Sequence, residues 1–162
     1  MANAYTPVTT AEYRQHRGRT RPGVVAAHDT ILFMMGGSVT SGGMVNDRNV
    51  RGGSAKSLHS VGRAADWMVR AGSGARAGMT ARQVGDELFV RLIAAAPAIG
   101  LDEVIWNRKR WSPDKGLRSY HGVNPHTDHV HAGFDPAFAD STASRDAMCK
   151  WIATAVFPAK AA

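Results

Sequence analysis

Two short stretches hold most of the side chains able to do chemistry: Ser57-Leu-His-Ser-Val-Gly-Arg-Ala-Ala-Asp66 and, about sixty residues later, His126-Thr-Asp-His-Val-His131. A catalytic zinc takes three protein ligands and keeps a fourth position for water. His59, Asp66 and His131 can supply two neutral imidazoles and one carboxylate, and the carboxylate offsets half of the metal charge. Such a metal lowers the pKa of its water to about 7, and a nearby carboxylate can take the proton and pass it to a leaving amine. Asp128, three positions before His131, is the nearest carboxylate in sequence and the candidate for that role. His126 and His129 remain as candidates to steady an oxyanion or orient the water.

These groups must be positioned by regular elements. Side chains alternate along a strand, so a strand over 64–69 puts Ala64, Asp66 and Met68 on one face and Ala65, Trp67 and Val69 on the other. Gly62 permits the turn that folds His59 back towards Asp66. A second short strand puts His129 and His131 on one face and Val130 into the core. The irregular stretch 38–54, rich in Gly, Ser and Asn, leads into His59; Val39-Thr40 reads as a short strand and the rest as a substrate-side loop.

The remaining elements are helices and links. Thr9-x-x-Glu12 is a capping box opening a short helix to about His16, followed by a basic link over 17–21. Pro22, the apolar run from Val24 to Met35 and the Gly36-Gly37 stop predict a second helix, with a strand over 31–35 as the competing reading. Residues 71–79 form a Gly/Ala link. Thr80-x-x-Gln83 is a second capping box, and Val84, Leu88, Leu92 and Ala95 recur at helical spacing up to Pro97, giving a helix that packs across the sheet. Residues 103–107 have strand character, with Trp106 as core. Trp111, beside the turn residues Ser112-Pro113, reads either as ordinary packing or as the wall of a substrate groove; Tyr120 and His121 stand on the same terms near the second motif. Ser141 or Thr142 begins a last helix with an apolar face of Ala147, Met148, Trp151, Ile152 and Ala155.

Composition bounds the rest. A chain of 162 residues is one domain's worth, able to bury a core without staples. Its single cysteine, Cys149, excludes an internal disulfide and a thiolate metal cluster, so a metal must be held by nitrogen and oxygen. The net charge of +7 is scattered, with no nucleic-acid motif, which suits general attraction to an anionic wall polymer rather than specific nucleic-acid binding. No stretch is apolar for long enough to span a bilayer, and the N-terminus lacks a basic region followed by an apolar run, so synthesis without a signal peptide is expected.

Ser57-x-His59-x-x-Gly62-x-Ala64-x-Asp66 resembles the SxHxxGxAxD motif of the VanY-like D-alanyl-D-alanine carboxypeptidases and the phage L-alanyl-D-glutamate endopeptidases, and Asp128-x-x-His131 resembles their second motif. His129-x-His131 is similar to the pattern of the wider lysostaphin, carboxypeptidase and hedgehog-type group. The resemblance implies that His59, Asp66 and His131 bind one zinc ion and that Asp128 is the general base; Asp rather than Glu there leans towards the phage type. It also implies a substrate-gripping arginine upstream of the first motif, for which Arg48 and Arg51 both qualify, and a substrate region that we extend to Ser57, Trp111, Tyr120 and His126. The resemblance covers 38–70 and 121–134.

The expectation is thus a single α+β domain over 1–162: an N-terminal helix and link (1–21), a site-bearing core (38–134) with a small, mostly antiparallel sheet, and a C-terminal helix (141–157), three or four helices in all. The expected activity is zinc-dependent hydrolysis of an amide bond in the peptide stem of peptidoglycan by a monomeric phage lysin, reaching the wall through a holin-type lesion or within a phage particle. The rivals are a D,D-carboxypeptidase, a zinc-bearing wall-binding module without activity, and a nucleic-acid-binding protein with incidental histidines. Neither GxSxG nor HExxH occurs.

Overall fold

The structure is a computed structural model and describes residues 5–142 together with 146, 148 and 150. Six strands form one sheet in the order β1-β2-β6-β3-β4-β5, every neighbouring pair antiparallel. They are β1 (Val39–Gly43), β2 (Ala64–Val69), β3 (Leu101–Trp106), β4 (Lys109–Ser112), β5 (Gly116–Ser119) and β6 (His129–Phe134). Four α-helices are delimited among the described residues: α1 (Thr10–His16), α2 (Pro22–Met35), α3 (Ala81–Ala95) and α4 (Pro136–Asp140). This is the α+β class expected.

The two faces of the sheet have different jobs. Ala65 and Trp67 of β2, Val130 and Ala132 of β6 and Val104 and Trp106 of β3 join the apolar core under α2 and α3. The intervening residues Asp66, His129, His131, Glu103 and Ile105 lie on the opposite face, as the period of two requires. Registers Asp66↔His131 and Ile105↔His131 bring three strands to one point on that face.

The helices form where their caps specify. The Thr9 hydroxyl accepts the Glu12 N–H, and at α3 Thr80 and Gln83 make the reciprocal bonds of a capping box. Between the two readings of Ile31 to Met35 the helix wins, because Val24, Ala27, Ile31 and Met35 are buried on one helical stripe. Gly85 of α3 meets the Trp106 ring of β3: a Cβ there would stand 2.1 Å from the indole, so helix and sheet touch through the missing side chain.

Several elements differ from expectation. The segment 109–119, in which only the turn at Ser112-Pro113 was expected, is the hairpin pair β4 and β5. Asn107 and Arg108 take φ of 46° and 61° between the paired Trp106 and Lys109, a two-residue reversal whose usual Asn-Gly signature is missing. The short helix α4, capped by the Asp135 side chain, was not anticipated either. Residue 148 is buried, but Ala147, Cys149, Trp151, Ile152 and Ala155 of the expected last helix lie outside the described residues.

A buried ionic network ties the N-terminal segment to the sheet. Arg63, wholly buried, donates to Asp102 of β3, to Glu12 of α1 and to the carbonyls of Thr6 and Phe134. Glu12 also accepts from Arg21, which reaches Asp140 at the end of α4. Through Arg63 the residues just before α1 are held against β3, and Tyr5 is brought to the cleft described below.

Candidate metal centre

His59 sits in a 3-10 turn, Leu58–Val61, that begins with the Ser57 hydroxyl accepting the His59 N–H and ends at Gly62. Gly62 has φ of +64°, and a Cβ there would lie 2.0 Å from the Arg19 carbonyl oxygen, so glycine is required twice over. The His59 Nδ1 donates to the Met44 carbonyl at 3.2 Å, which fixes the tautomer and leaves the Nε2 lone pair facing inwards.

That lone pair meets Asp66 and His131. His59 Nε2 is 3.2 Å from Asp66 Oδ1 and 3.2 Å from His131 Nδ1, and His131 Nδ1 is 2.8 Å from Asp66 Oδ1. Ligands at zinc-type bond lengths around a tetrahedral ion stand about 3.3 Å apart, so the three atoms are spaced as three corners of such a polyhedron. Two imidazole nitrogens and a carboxylate oxygen, all largely out of water, form a donor set suited to a divalent cation. The residues fit a metal; they do not specify which one.

The electrostatics agree. Burial works against the charge on Asp66, but the hydrogen bond from His131 and the neighbouring His59 ring outweigh it and hold its carboxyl far below the usual range. Burial also works against a charged His131, yet Asp66 on one side of the ring and Glu103 on the other raise its pKa to about 9. Absent a cation, the ring keeps an extra proton between two carboxylates.

Asp128 and His129 behave as a pair. The His129 Nδ1 donates to Asp128 Oδ1 at 2.7 Å, and this bond holds the Asp128 carboxyl below its ordinary pKa. The side chain of Asp128 is 68% exposed, whereas His129 is buried with its Nε2 4.0 Å from Asp66 Oδ2. The imidazole therefore stands between the carboxylate and the three-atom cluster. His126 lies beside it, ring centres 4.7 Å from His129 and 5.6 Å from His131. Its Nδ1 donates to the Asn124 carbonyl at 2.7 Å, and burial, then the neighbouring histidines, lower its pKa to about 4, so it is a neutral ring with Nε2 free of a proton.

An open cleft of about 470 Å3 borders the cluster, and its walls include Arg48, Arg51, Ser57, Glu103, Tyr120, His126 and His131. Five of the six residues expected at substrate are thus together, and both candidate arginines line the same space. Trp111 is the exception. It pairs with Val104, which places it on the helix-covered face packed against the core, while its neighbour Arg110 pairs with Ile105 on the site face. His121 is exposed and not part of the lining. The single Ser-x-x-Lys spacing, Ser112 to Lys115, is a hairpin turn whose serine hydroxyl is bound to Asp114 and Arg118.

Two residues of the site escaped sequence reasoning. Glu103 carries a local signal, an acid that leads directly into the apolar run Val104-Ile105-Trp106; Tyr5 carries none. Among the described residues, no helix is long and apolar enough to cross a membrane.

No curated protein and no solved structure matches the chain significantly. One family model does, described as "VldE, C-terminal domain", and it matches residues 16–131, a span that runs from the end of α1 to His131 and contains both motifs. Since that match takes in well over half of the sequence, the chain belongs to the VldE C-terminal domain family.

Proposed function

We propose that this chain is a metal-dependent peptidoglycan peptidase that hydrolyses an amide bond in the peptide stem, with zinc as the resident ion. The observation that carries the reading is the convergence of His59 Nε2, Asp66 Oδ1 and His131 Nδ1 within 3.2 Å of one another at the edge of a cleft. The likeness of both motifs to the VanY-type and phage endopeptidases supplies the substrate class.

A bound divalent ion would supply Lewis-acid polarisation of a carbonyl and a water of lowered pKa. The protein's own groups do the rest. Arg48 and Arg51 give the cleft positive charge, which suits the carboxylates of a stem peptide. His129 is the group placed to take up a proton: its Nδ1–H is held by Asp128, so Nε2 is the free base on the cluster side. Asp128 orients that ring and stabilises its protonated form, a division of labour that refines the sequence expectation of Asp128 as direct base. His126, neutral and with Nδ1 tied to a carbonyl, offers Nε2 as a hydrogen-bond acceptor for a substrate amide. Delivery to the wall through a holin-type lesion or in a phage particle belongs to the same proposal.

The test is mass spectrometry of purified wall peptides incubated with the protein, with and without a chelator. New termini that appear only with metal support the peptidase, and the fragment masses name the bond. Loss of a terminal D-alanine alone would favour the D,D-carboxypeptidase, in which Arg48 or Arg51 would take the free carboxylate. Metal-loaded, folded protein that releases nothing from several wall chemotypes would leave a binding module.

A further inference from the structure

The cluster rests on a carboxylate that is not one of its three donors. Glu103 of β3 is buried, and its Oε1 accepts from His131 Nε2 at 3.3 Å. Its Oε2 is 2.7 Å from Arg110 Nη2 on β4. We propose that Glu103, anchored by Arg110, is the positioning residue of the metal centre: it holds the His131 ring by Nε2–H so that Nδ1 is the nitrogen delivered to the ion. The inference rests on the metal reading of the cluster and deepens it, since it assigns the support of the third ligand.

The geometry favours positioning over direct ligation. Glu103 touches the ring nitrogen opposite the one that faces Asp66 and His59, so the imidazole separates it from the other donors. A carboxylate in that place fixes ring orientation and tautomer and makes the ligand nitrogen more basic. The surroundings are shaped for it. Gly133, which pairs with Glu103 across β3 and β6, would carry a Cβ 3.0 Å from Glu103 Cγ and 2.3 Å from Leu58 Cδ1, so a side chain there would invade the space Glu103 uses. Arg110 supplies the charge that a buried carboxylate needs, and its guanidinium lies 5.0 Å from the centre of the Tyr5 ring, which covers this part of the cleft. The order of events along the chain of contacts is Arg110 to Glu103 to His131 to ion.

The experiment is metal affinity measured without substrate, by chelator competition, on the full chain and on the variants Glu103→Gln, Glu103→Ala and Arg110→Gln. The visible spectrum of the cobalt-loaded forms reports coordination geometry. Loss of such a support typically costs ten- to a hundredfold in affinity. Glu103→Ala is expected to weaken cobalt and zinc binding by about that factor and to alter the cobalt spectrum; Glu103→Gln, which keeps an acceptor oxygen, loses less. Arg110→Gln should weaken binding in the same direction. Should Glu103→Ala fail to fold, Glu103→Gln and Arg110→Gln carry the test. Folded variants that bind metal within twofold of the unsubstituted chain, with an unchanged cobalt spectrum, overturn the proposal, as does an unsubstituted chain that binds no divalent ion. Because no substrate is involved, a protein that binds metal but cuts no wall leaves this inference standing while the peptidase reading falls.

Discussion

His131 must give up a proton before it can hold a metal, and its surroundings set the pH at which that becomes easy. Burial would lower its pKa, but the hydrogen bonds to Asp66 and Glu103 prevail and raise it to about 9. Below that pH an incoming ion competes with the proton, and apparent affinity falls about tenfold per pH unit. From pH 9 down to neutrality the loss is about a hundredfold, or roughly 3 kcal/mol. Chelator competition in metal-buffered solution over this range should give a slope near one in log affinity, flattening above pH 9. The same shift makes a claim about the metal-free fold. The folded pKa lies above the ordinary imidazole value of about 6.5, so this group stabilises the fold fully below that pH and the contribution disappears as pH rises through 9. Metal-free protein should therefore lose about 3 kcal/mol from this source across that window, an order-of-magnitude figure read by denaturant melts. A metal affinity independent of pH over the same range would refute the reasoning, because His131 would then hold no proton for the ion to displace.

Three further outcomes follow from the same contacts. His129→Ala should lower kcat on wall peptides by about a hundredfold or more while metal stays bound, with Asp128→Asn costing less; Asp128→Ala at full activity would remove Asp128 from the reaction. Gly62→Ala forces a Cβ to within 2.0 Å of the Arg19 carbonyl at a left-handed φ, and it should displace His59, so melting temperature and metal content fall together. Arg63→Ala leaves Asp102 without its buried cation and Glu12 with Arg21 alone, and should cost about 3–5 kcal/mol in a denaturant melt; a loss under about 1 kcal/mol would mean the network is solvated.

What the sequence determined by itself was local. The Thr9 cap of α1, the capping box of α3, the Pro22 start and Gly36 stop of α2, the alternation of β2 and the turn at Gly62 all depend on residues within a few positions of each other; the second half of the box expected at Thr9 is missing because the Glu12 carboxylate is taken by Arg21 and Arg63. For the same reason the three candidate metal donors were legible: His59 and Asp66 share one turn and strand, and His131 sits in a strand whose alternation leaves it one face. Tertiary structure decided everything that hangs on register between strands. Whether Trp111 or Arg110 faces the site depends on pairing β4 to β3, and a one-residue slip would exchange them. Glu103 becomes the support of His131 only because β3 lies next to β6, a neighbour separated from it by two strands in the chain. Tyr5 reaches the cleft because the buried Arg63 holds the carbonyl of Thr6 beside Asp102. Asp128 could be placed near the site from spacing, but only the folded chain shows its carboxylate turned to the His129 ring. Ligand spacing is written in covalent distance along the backbone, whereas the partners that orient those ligands are chosen by sheet pairing and burial, which no short stretch of sequence contains.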